Sequence, residues 1–275
     1  MHEWSLFVFT LALQLSIGSI CIYTFLKLVV YKNKNLVNEK IFFSTLSGFS
    51  LIGLIASFTH LGSPSNAINT INNFTNSWMS KEIVFTSGFI GILILLTVLI
   101  LINNVKFTSI GLVLASMVGL VDVYCMAKIY ETSLISGWDS IHTFTSFFST
   151  TIILGTCMML VFSIKELKAK TTNLSILLFA NLVIGLAIYM LGLFFLPSSL
   201  VDPIIIGTTP AIMQYDALTT LNIIRLILGF IGLGFIFYLN IKKENKIVYP
   251  LLFTSIVLLV VSETIGRYIF FTFVS

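Results

Sequence analysis

Charge is what this sequence has least of. Charged residues make up only 9% of its 275 residues, whereas 57% are hydrophobic. A soluble domain of this size covers its surface with many more charged side chains, so the composition excludes a water-soluble globular protein. Lipid has to act as the solvent of the folded chain, and we therefore expect an integral membrane protein.

Proline is also scarce, and its few copies avoid the middle of the apolar runs. All five lie at the ends of runs or between them: Pro64, Pro197, Pro203, Pro210 and Pro250. Secondary transporters often interrupt helices with glycine or proline near the middle of the membrane to build their binding sites. The positions of the prolines therefore argue against a secondary transporter, although this function is kept as the alternative.

Metal-ligating residues are few and badly placed for a metal site or a haem. Cys21, Cys125 and Cys157 lie within apolar runs and lack paired spacings, so we expect them to be packing residues. A b-type haem in a membrane usually needs two histidines that face each other within helices. Only His60 and His142 lie near the runs, both at predicted outer ends, so a haem or metal in this chain is disfavoured.

Long apolar runs are what the sequence has in abundance. There are eight of them, and each is long enough to cross a bilayer as a helix of about 20 residues. The chain therefore predicts an all-α membrane bundle that forms one domain, 1–275, with no room for a folded aqueous domain. We place the spans at Leu6–Val30, Ile41–His60, Ile83–Ile102, Ser109–Tyr130, Thr143–Ile164, Leu174–Leu196, Leu218–Ile241 and Tyr249–Phe271.

Lysine alternates between the loops. The loops after the first, third, fifth and seventh runs hold Lys32, Lys34, Lys40, Lys106, Lys165, Lys168, Lys170, Lys242, Lys243 and Lys246. The positive-inside rule places these four loops in the cytoplasm and both termini outside. The stretch 197–217, a long outer connector, has no lysine at all. The lysines form no basic stripe with interleaved aromatic residues, so we expect no binding of nucleic acid.

Four ionisable residues lie inside the apolar runs at similar depth: Asp122, Arg225, Glu263 and Arg267. Burying a charge near the middle of a membrane costs about 2.5 to 3.5 kcal/mol on insertion scales, so these residues imply ion pairing or a wet cavity. Glu263 and Arg267 are four residues apart and can pair on one helical face. The set forms either structural ion pairs or, with Asp122 and Glu263, a proton path to the outer side. In a secondary transporter, the alternative function, all four residues would form a relay for substrate or protons.

A histidine and a carboxylate fall at the same predicted outer interface. His60 ends the second run and Glu82 opens the third. Histidine titrates near neutral pH and a carboxylate accepts a proton, so the pair suits hydrogen bonding to the two hydroxyls of a quinol. The alternative is that His60 is an interfacial residue, that Glu82 complements the positive end of a helix, and that Ser80 is its N-cap.

Five motifs resemble one family, the membrane anchor subunits of dimethyl sulfoxide reductase, and the resemblance covers the whole chain. The most specific motif is His60-Leu61-Gly62-Ser63-Pro64. The others are His2-Glu3-Trp4, Ser80-Lys81-Glu82-Ile83, Lys128-Ile129-Tyr130 followed by Trp138, and Glu263-Thr264-Ile265-Gly266-Arg267.

The resemblance implies an eight-helix protein that oxidises menaquinol near the outer face of the cytoplasmic membrane. His60 and Glu82 would be its functional residues, with Ser63 of the same motif in the quinol site. A partner with four iron-sulfur clusters would dock outside and pass electrons to a catalytic subunit. That subunit carries a molybdenum (molybdopterin) cofactor and reduces an S-oxide or N-oxide, while the anchor holds no metal or haem.

Two questions stay open at this point. His142, beside Trp138 and Asp139, is either an interfacial anchor or a second proton acceptor or partner contact. The protein as a whole is either an oxidant of quinol or a tether that only holds its partners to the membrane.

Overall fold

The computed structural model describes residues 4–32, 36–60, 73–103, 108–133, 135, 137–164, 167, 174–196, 211–241 and 248–272. Within them, the side chains of 60, 211–217 and 248 are not described. This part of the chain is helical, and eight of its helices are long and apolar enough to span a membrane. The prediction of an all-helical protein with eight spans is confirmed.

The eight spanning helices follow one another along the chain. α1 is Trp4–Phe25 and continues as a π-helical turn, Leu26–Val30. The others are α2 Glu39–His60, α3 Trp78–Leu101, α4 Thr108–Glu131, α5 Ile141–Phe162, α6 Leu174–Leu193, α7 Ala211–Ile241 and α8 Val248–Thr272.

Two helices begin five or more residues earlier than the hydropathy pattern predicts. α3 begins at Trp78 rather than Ile83, so Glu82 lies in its second turn. α7 begins at Ala211 rather than Leu218, so the end of the predicted connector 197–217 is helical. Hydropathy locates the stretch that has to face lipid, whereas hydrogen bonding extends a helix into its polar flank.

α1 and α5 form the centre of the bundle and are the most buried of the eight helices. They touch at Gly18 and Gly155, where the two backbones meet without side chains between them. A Cβ atom added to Gly18 would lie 1.9 Å from the Thr151 carbonyl oxygen, and one added to Gly155 would lie 2.3 Å from the Gly18 carbonyl carbon. Small residues at such a crossing let membrane helices pack closely without a hydrophobic driving force.

The other helices pack on two flanks of this central pair. α2, α3 and α4 pack in sequence on one flank, and α6, α7 and α8 pack in sequence on the other. Their outward faces carry apolar side chains such as Ile55, Leu95 and Phe253, which suits contact with lipid. Eight crossings bring Trp4 and Thr272 to the same side, but which side that is stays a prediction.

Polar contacts join α1 to α2 at the end of the bundle where α1 ends and α2 begins. Lys27 and Tyr23 of α1 both bond to the Glu39 carboxylate at the start of α2. The opposite end, where α2 ends and α3 begins, is the predicted outer end and carries His60 and Glu82.

Candidate functional site

Glu82 stands at the predicted outer end on the second turn of α3, with its side chain half-buried. The helix begins with a side-chain cap: the Ser77 hydroxyl accepts a hydrogen bond from the backbone N–H of Ser80 at 3.3 Å. The N-cap is therefore Ser77, and the expectation that Ser80 fills this position is wrong. The ammonium group of Lys81 lies 3.9 Å from the centre of the Trp78 ring.

His60 ends α2 at the same end of the bundle. α2 and α3 pack against each other, and the hydroxyls of Ser47 and Thr97 bond between them at 2.8 Å. Because α2 and α3 are antiparallel, the backbone of His60 and the carboxyl group of Glu82 belong to one end. The side chain of His60 and all of Ser63 lie outside the described residues, so their contact with Glu82 stays a prediction.

Asp122 is buried on α4 beside this region. Its Oδ1 accepts a hydrogen bond from the Thr86 hydroxyl of α3 at 2.8 Å, while its Oδ2 has no hydrogen-bond partner. It lies near enough to Glu82 for the two carboxyl groups to interact electrostatically. None of the ion pairs among the described side chains includes Asp122. Thr86 therefore links Asp122 to the helix of Glu82, and Asp122 stands apart from the two arginines.

Arg225 and Glu263 form a buried ion pair between α7 and α8. Nη2 of Arg225 lies 3.2 Å from Oε2 of Glu263, and both side chains are at most 4% exposed. The same carboxylate oxygen accepts a hydrogen bond from the Thr150 hydroxyl of α5 at 2.7 Å, and the Ser262 hydroxyl donates to the Arg225 carbonyl oxygen. An ion pair is present at this depth, as the sequence predicts, but it joins α7 to α8 instead of two residues of α8.

Arg267 has different partners from those suggested by its spacing. Its Nη2 donates to Oε1 of the Gln14 side chain on α1 at 2.8 Å, and its guanidinium carbon lies 3.9 Å from the centre of the Phe147 ring. Within the described part of the protein no ion pair joins it to Glu263, whose carboxylate faces Arg225 instead. The spacing of four residues places Glu263 and Arg267 near each other, but the rotation of α8 directs them to different neighbours.

A cavity lies at the predicted outer end between α5, α6, α7 and α8. Its empty volume is about 430 Å³, including the space at its mouth. Polar and aromatic side chains line it: Trp138, His142, Ser146, Tyr189, Asn222, Arg225 and Phe270. Sequence reasoning missed Ser146, Tyr189 and Asn222, because a hydroxyl or amide in an apolar run gives no signal of its own.

Comparison with known proteins identifies the family. The family model described as "DMSO reductase anchor subunit (DmsC)" matches residues 1–273. This protein belongs to that family. It is 28% identical to the C subunit of the anaerobic dimethyl sulfoxide reductase of Haemophilus influenzae and 26% identical to the corresponding C subunit of Escherichia coli. It is also 25% identical to the anaerobic dimethyl sulfoxide reductase subunit YnfH of E. coli. Each match covers 98% of the present sequence and 94% of the relative.

The resemblance drawn from the sequence motifs is thus confirmed, and the protein is a multi-pass membrane anchor subunit. No solved structure matches it. Among the residues that the structure describes, no group of three or more His, Cys, Asp and Glu side chains is placed to hold a metal ion. The three cysteines of this anchor are free thiols, two of them buried, as packing residues are.

Proposed function

We propose that this anchor subunit oxidises menaquinol at the predicted outer end, at a site formed by His60, Glu82 and Ser63. Membership in the dimethyl sulfoxide reductase anchor family supports the reaction. The observation that carries the location is Glu82, an acidic side chain half-buried in the second turn of α3, next to the helix that ends in His60. A half-buried carboxyl group at a membrane interface remains within reach of a lipid-soluble ligand.

The chemistry requires two proton acceptors and an electron acceptor. The quinol loses two electrons and two protons to become the quinone. Imidazole and carboxylate groups accept the two protons as general bases, which typically contributes 10²- to 10⁴-fold to a rate. The electrons leave singly to an iron-sulfur cluster of a partner subunit. If both protons are released on the outer side, turnover by itself moves no charge across the membrane.

The partners follow from the relatives. Each of the three is named as a component of an anaerobic dimethyl sulfoxide reductase. This anchor would hold a subunit with four iron-sulfur clusters and a molybdopterin catalytic subunit on the outer face of the cytoplasmic membrane. The catalytic subunit would then reduce an S-oxide or N-oxide with electrons from the quinol, in anaerobic respiration.

Asp122 is the best-placed group for a proton leaving Glu82. It lies one helix away, is fully buried, and has one carboxylate oxygen without a hydrogen-bond partner. Arg225 and Glu263 neutralise each other and hold α7 to α8, which favours a structural role for that pair. Since Asp122 stands apart from this pair, a single relay of all four residues, as the transporter alternative requires, has little support.

The test compares two electron donors in membranes that contain the whole complex. We expect His60→Leu and Glu82→Gln to lower quinol-dependent reduction of the S-oxide by about 100-fold or more. Reduction driven by a water-soluble dye, which feeds the partner subunits directly, should stay unchanged, because the complex still assembles. Glu131→Gln is the matched control: Glu131 ends α4 at the same end of the bundle and pairs with Lys128 at the surface.

Loss of both activities in His60→Leu and Glu82→Gln would make these residues structural and overturn the proposal. Electron flow from quinol that persists in both variants would do so as well. If quinone analogues then also fail to inhibit electron flow to the S-oxide, the protein only holds its partners to the membrane.

A further inference from the structure

The walls of the cavity between α5, α6, α7 and α8 are those of a ligand site. Its empty space of about 430 Å³ includes the open mouth, so a ligand would enter it with one end instead of being enclosed. The Trp138 and Phe270 rings stack against each other at its edge, 5.1 Å apart and 12° from parallel. The indole N–H of Trp138 donates to the Phe270 carbonyl oxygen at 3.0 Å, which fixes the ring in place.

Three polar groups in the cavity have hydrogen-bonding capacity left over. Oδ1 of the Asn222 side chain accepts from the Tyr189 hydroxyl at 2.8 Å, so the side-chain amide of Asn222 offers its two N–H donors to a ligand. His142 also lines the cavity, and its Nδ1 is buried without a hydrogen-bond partner. The Ser146 hydroxyl, on the next turn of α5, can donate or accept. Donors and acceptors thus converge on a space with aromatic walls.

The charge of the cavity excludes a strongly anionic ligand. Its cation, Arg225, is neutralised by Glu263 at 3.2 Å, and its guanidinium carbon lies 3.7 Å from the centre of the Tyr189 ring. A phosphate group binds where unpaired cations or several backbone N–H groups converge. Neutral hydrogen-bonding groups between aromatic walls instead suit a flat, uncharged ring that carries oxygen atoms.

We propose that this cavity binds the aromatic head group of a quinone or quinol, as a second site apart from the one at Glu82. The two sites lie on opposite flanks of the bundle. Every residue that lines the cavity belongs to α5, α6, α7, α8 or the segments that adjoin α5 and α6, whereas Glu82 and Asp122 belong to α3 and α4. The ligand chemistry is inferred from the cavity itself, so the second site stands whether or not quinol is oxidised at Glu82.

Photolabelling tests this inference on the complete complex in liposomes. The probe is an azido-naphthoquinone, and the labelled peptides are identified by mass spectrometry. We expect labelled peptides that contain residues 137–146 and 266–270, and unlabelled naphthoquinone should compete for them. Asn222→Leu should lower this labelling about tenfold, which corresponds to the loss of about 1.4 kcal/mol of binding free energy.

Ser146→Ala is the second variant, because it removes a single oxygen atom and leaves little risk to folding; it should lower the same labelling. Asn240→Leu is the matched control on α7. The Asn240 amide donates to the Ile236 carbonyl oxygen toward the other end of that helix, far from the cavity, so its replacement should leave the labelling unchanged.

Labels confined to α2 and α3 would overturn the second site while leaving the proposed oxidation at Glu82 intact. Cavity labelling that neither variant lowers, that only anionic phospholipid displaces, or that does not occur would also overturn it. Conversely, labelling of the cavity in a complex whose His60→Leu and Glu82→Gln variants still oxidise quinol would support the second site and remove the first.

Discussion

Three of the buried ionisable side chains have different kinds of partner. Asp122 accepts from a hydroxyl, Arg225 faces a carboxylate, and Arg267 combines an amide with an aromatic face. A guanidinium over a ring gains cation–π energy that grows when the pair is desolvated. These neighbours offset part of the cost of burying each group in a membrane, and Oδ2 of Asp122 and Nε and Nη1 of Arg267 are buried without a hydrogen-bond partner.

The Arg225–Glu263 pair supports a first prediction, on stability. Arg225→Leu leaves the Glu263 carboxylate buried with only the Thr150 hydroxyl, so we expect a loss of about 3 to 5 kcal/mol in the free energy of unfolding. The double variant Arg225→Leu with Glu263→Gln should recover part of the loss, because no unpaired charge remains. Unfolding in mixed micelles with increasing SDS measures both values.

A single variant as stable as the wild type would show that the pair does not hold α7 to α8. Lys128→Leu serves as the control, because Lys128 and Glu131 form an ion pair that is about one quarter exposed and contributes little.

Sequence reasoning identified which residues carry the polar chemistry, but not which ones meet. Hydropathy makes Asp122, Arg225 and Glu263 conspicuous because charge is rare in an apolar run. Their partners Thr86 and Thr150 are ordinary residues of membrane helices, and their role depends on how each helix is rotated about its axis. A hydropathy pattern shared by most faces of a helix gives little information on that rotation.

At the scale of the helices, the start of α3 determines where Glu82 stands. The helix begins five residues before the predicted span, and Ser77 caps it. The sequence predicted the middle of every helix well, because a run of about 20 apolar residues has one stable solution in lipid. It predicted the ends less well, since Ser77 and Ser80 both qualify as N-caps by type.

The cap supports a second prediction. Ser77→Ala removes the acceptor for the Ser80 N–H and should cost about 0.5 to 2 kcal/mol at the start of α3. Because Glu82 lies in the next turn, we expect faster hydrogen exchange of the amides at 78–82 and a partial loss of quinol-dependent activity. Ser80→Ala should leave exchange at 78–82 unchanged. The reverse ranking of the two variants would restore Ser80 as the cap.

The crossing of α1 and α5 supports a third prediction. Gly155→Ala places a Cβ atom 2.3 Å from the Gly18 backbone, so α1 and α5 have to move apart. Overpacking of this kind typically costs about 1 to 3 kcal/mol. The control is Gly91→Ala on α3, where an added Cβ meets nothing within 4 Å. Thermal denaturation of the purified complex should separate the two variants, and equal melting temperatures would contradict the close contact.

At the scale of the whole molecule, orientation is the property on which the proposed function depends. The lysine-rich loops predict that both termini, and the end with Glu82 and the cavity, lie outside. An alkaline phosphatase fused after Ser275 should be active, since this enzyme folds only outside the cytoplasm. The same enzyme fused after Asn104, in the loop between α3 and α4, should be inactive. The opposite pattern would place the site on the cytoplasmic side, away from the proposed partners.

The backbone contact of Gly18 with Gly155 has one mechanical consequence. Because the α1 and α5 backbones touch at these glycines, we expect the two helices to move as one unit and displacements during turnover to occur in the three-helix groups on either side. Each three-helix group can then move relative to α1 and α5 without displacing the other group. A lipid-soluble molecule that enters beside α3 would then not affect the binding of another among α6, α7 and α8, and the two entrances would open independently of each other.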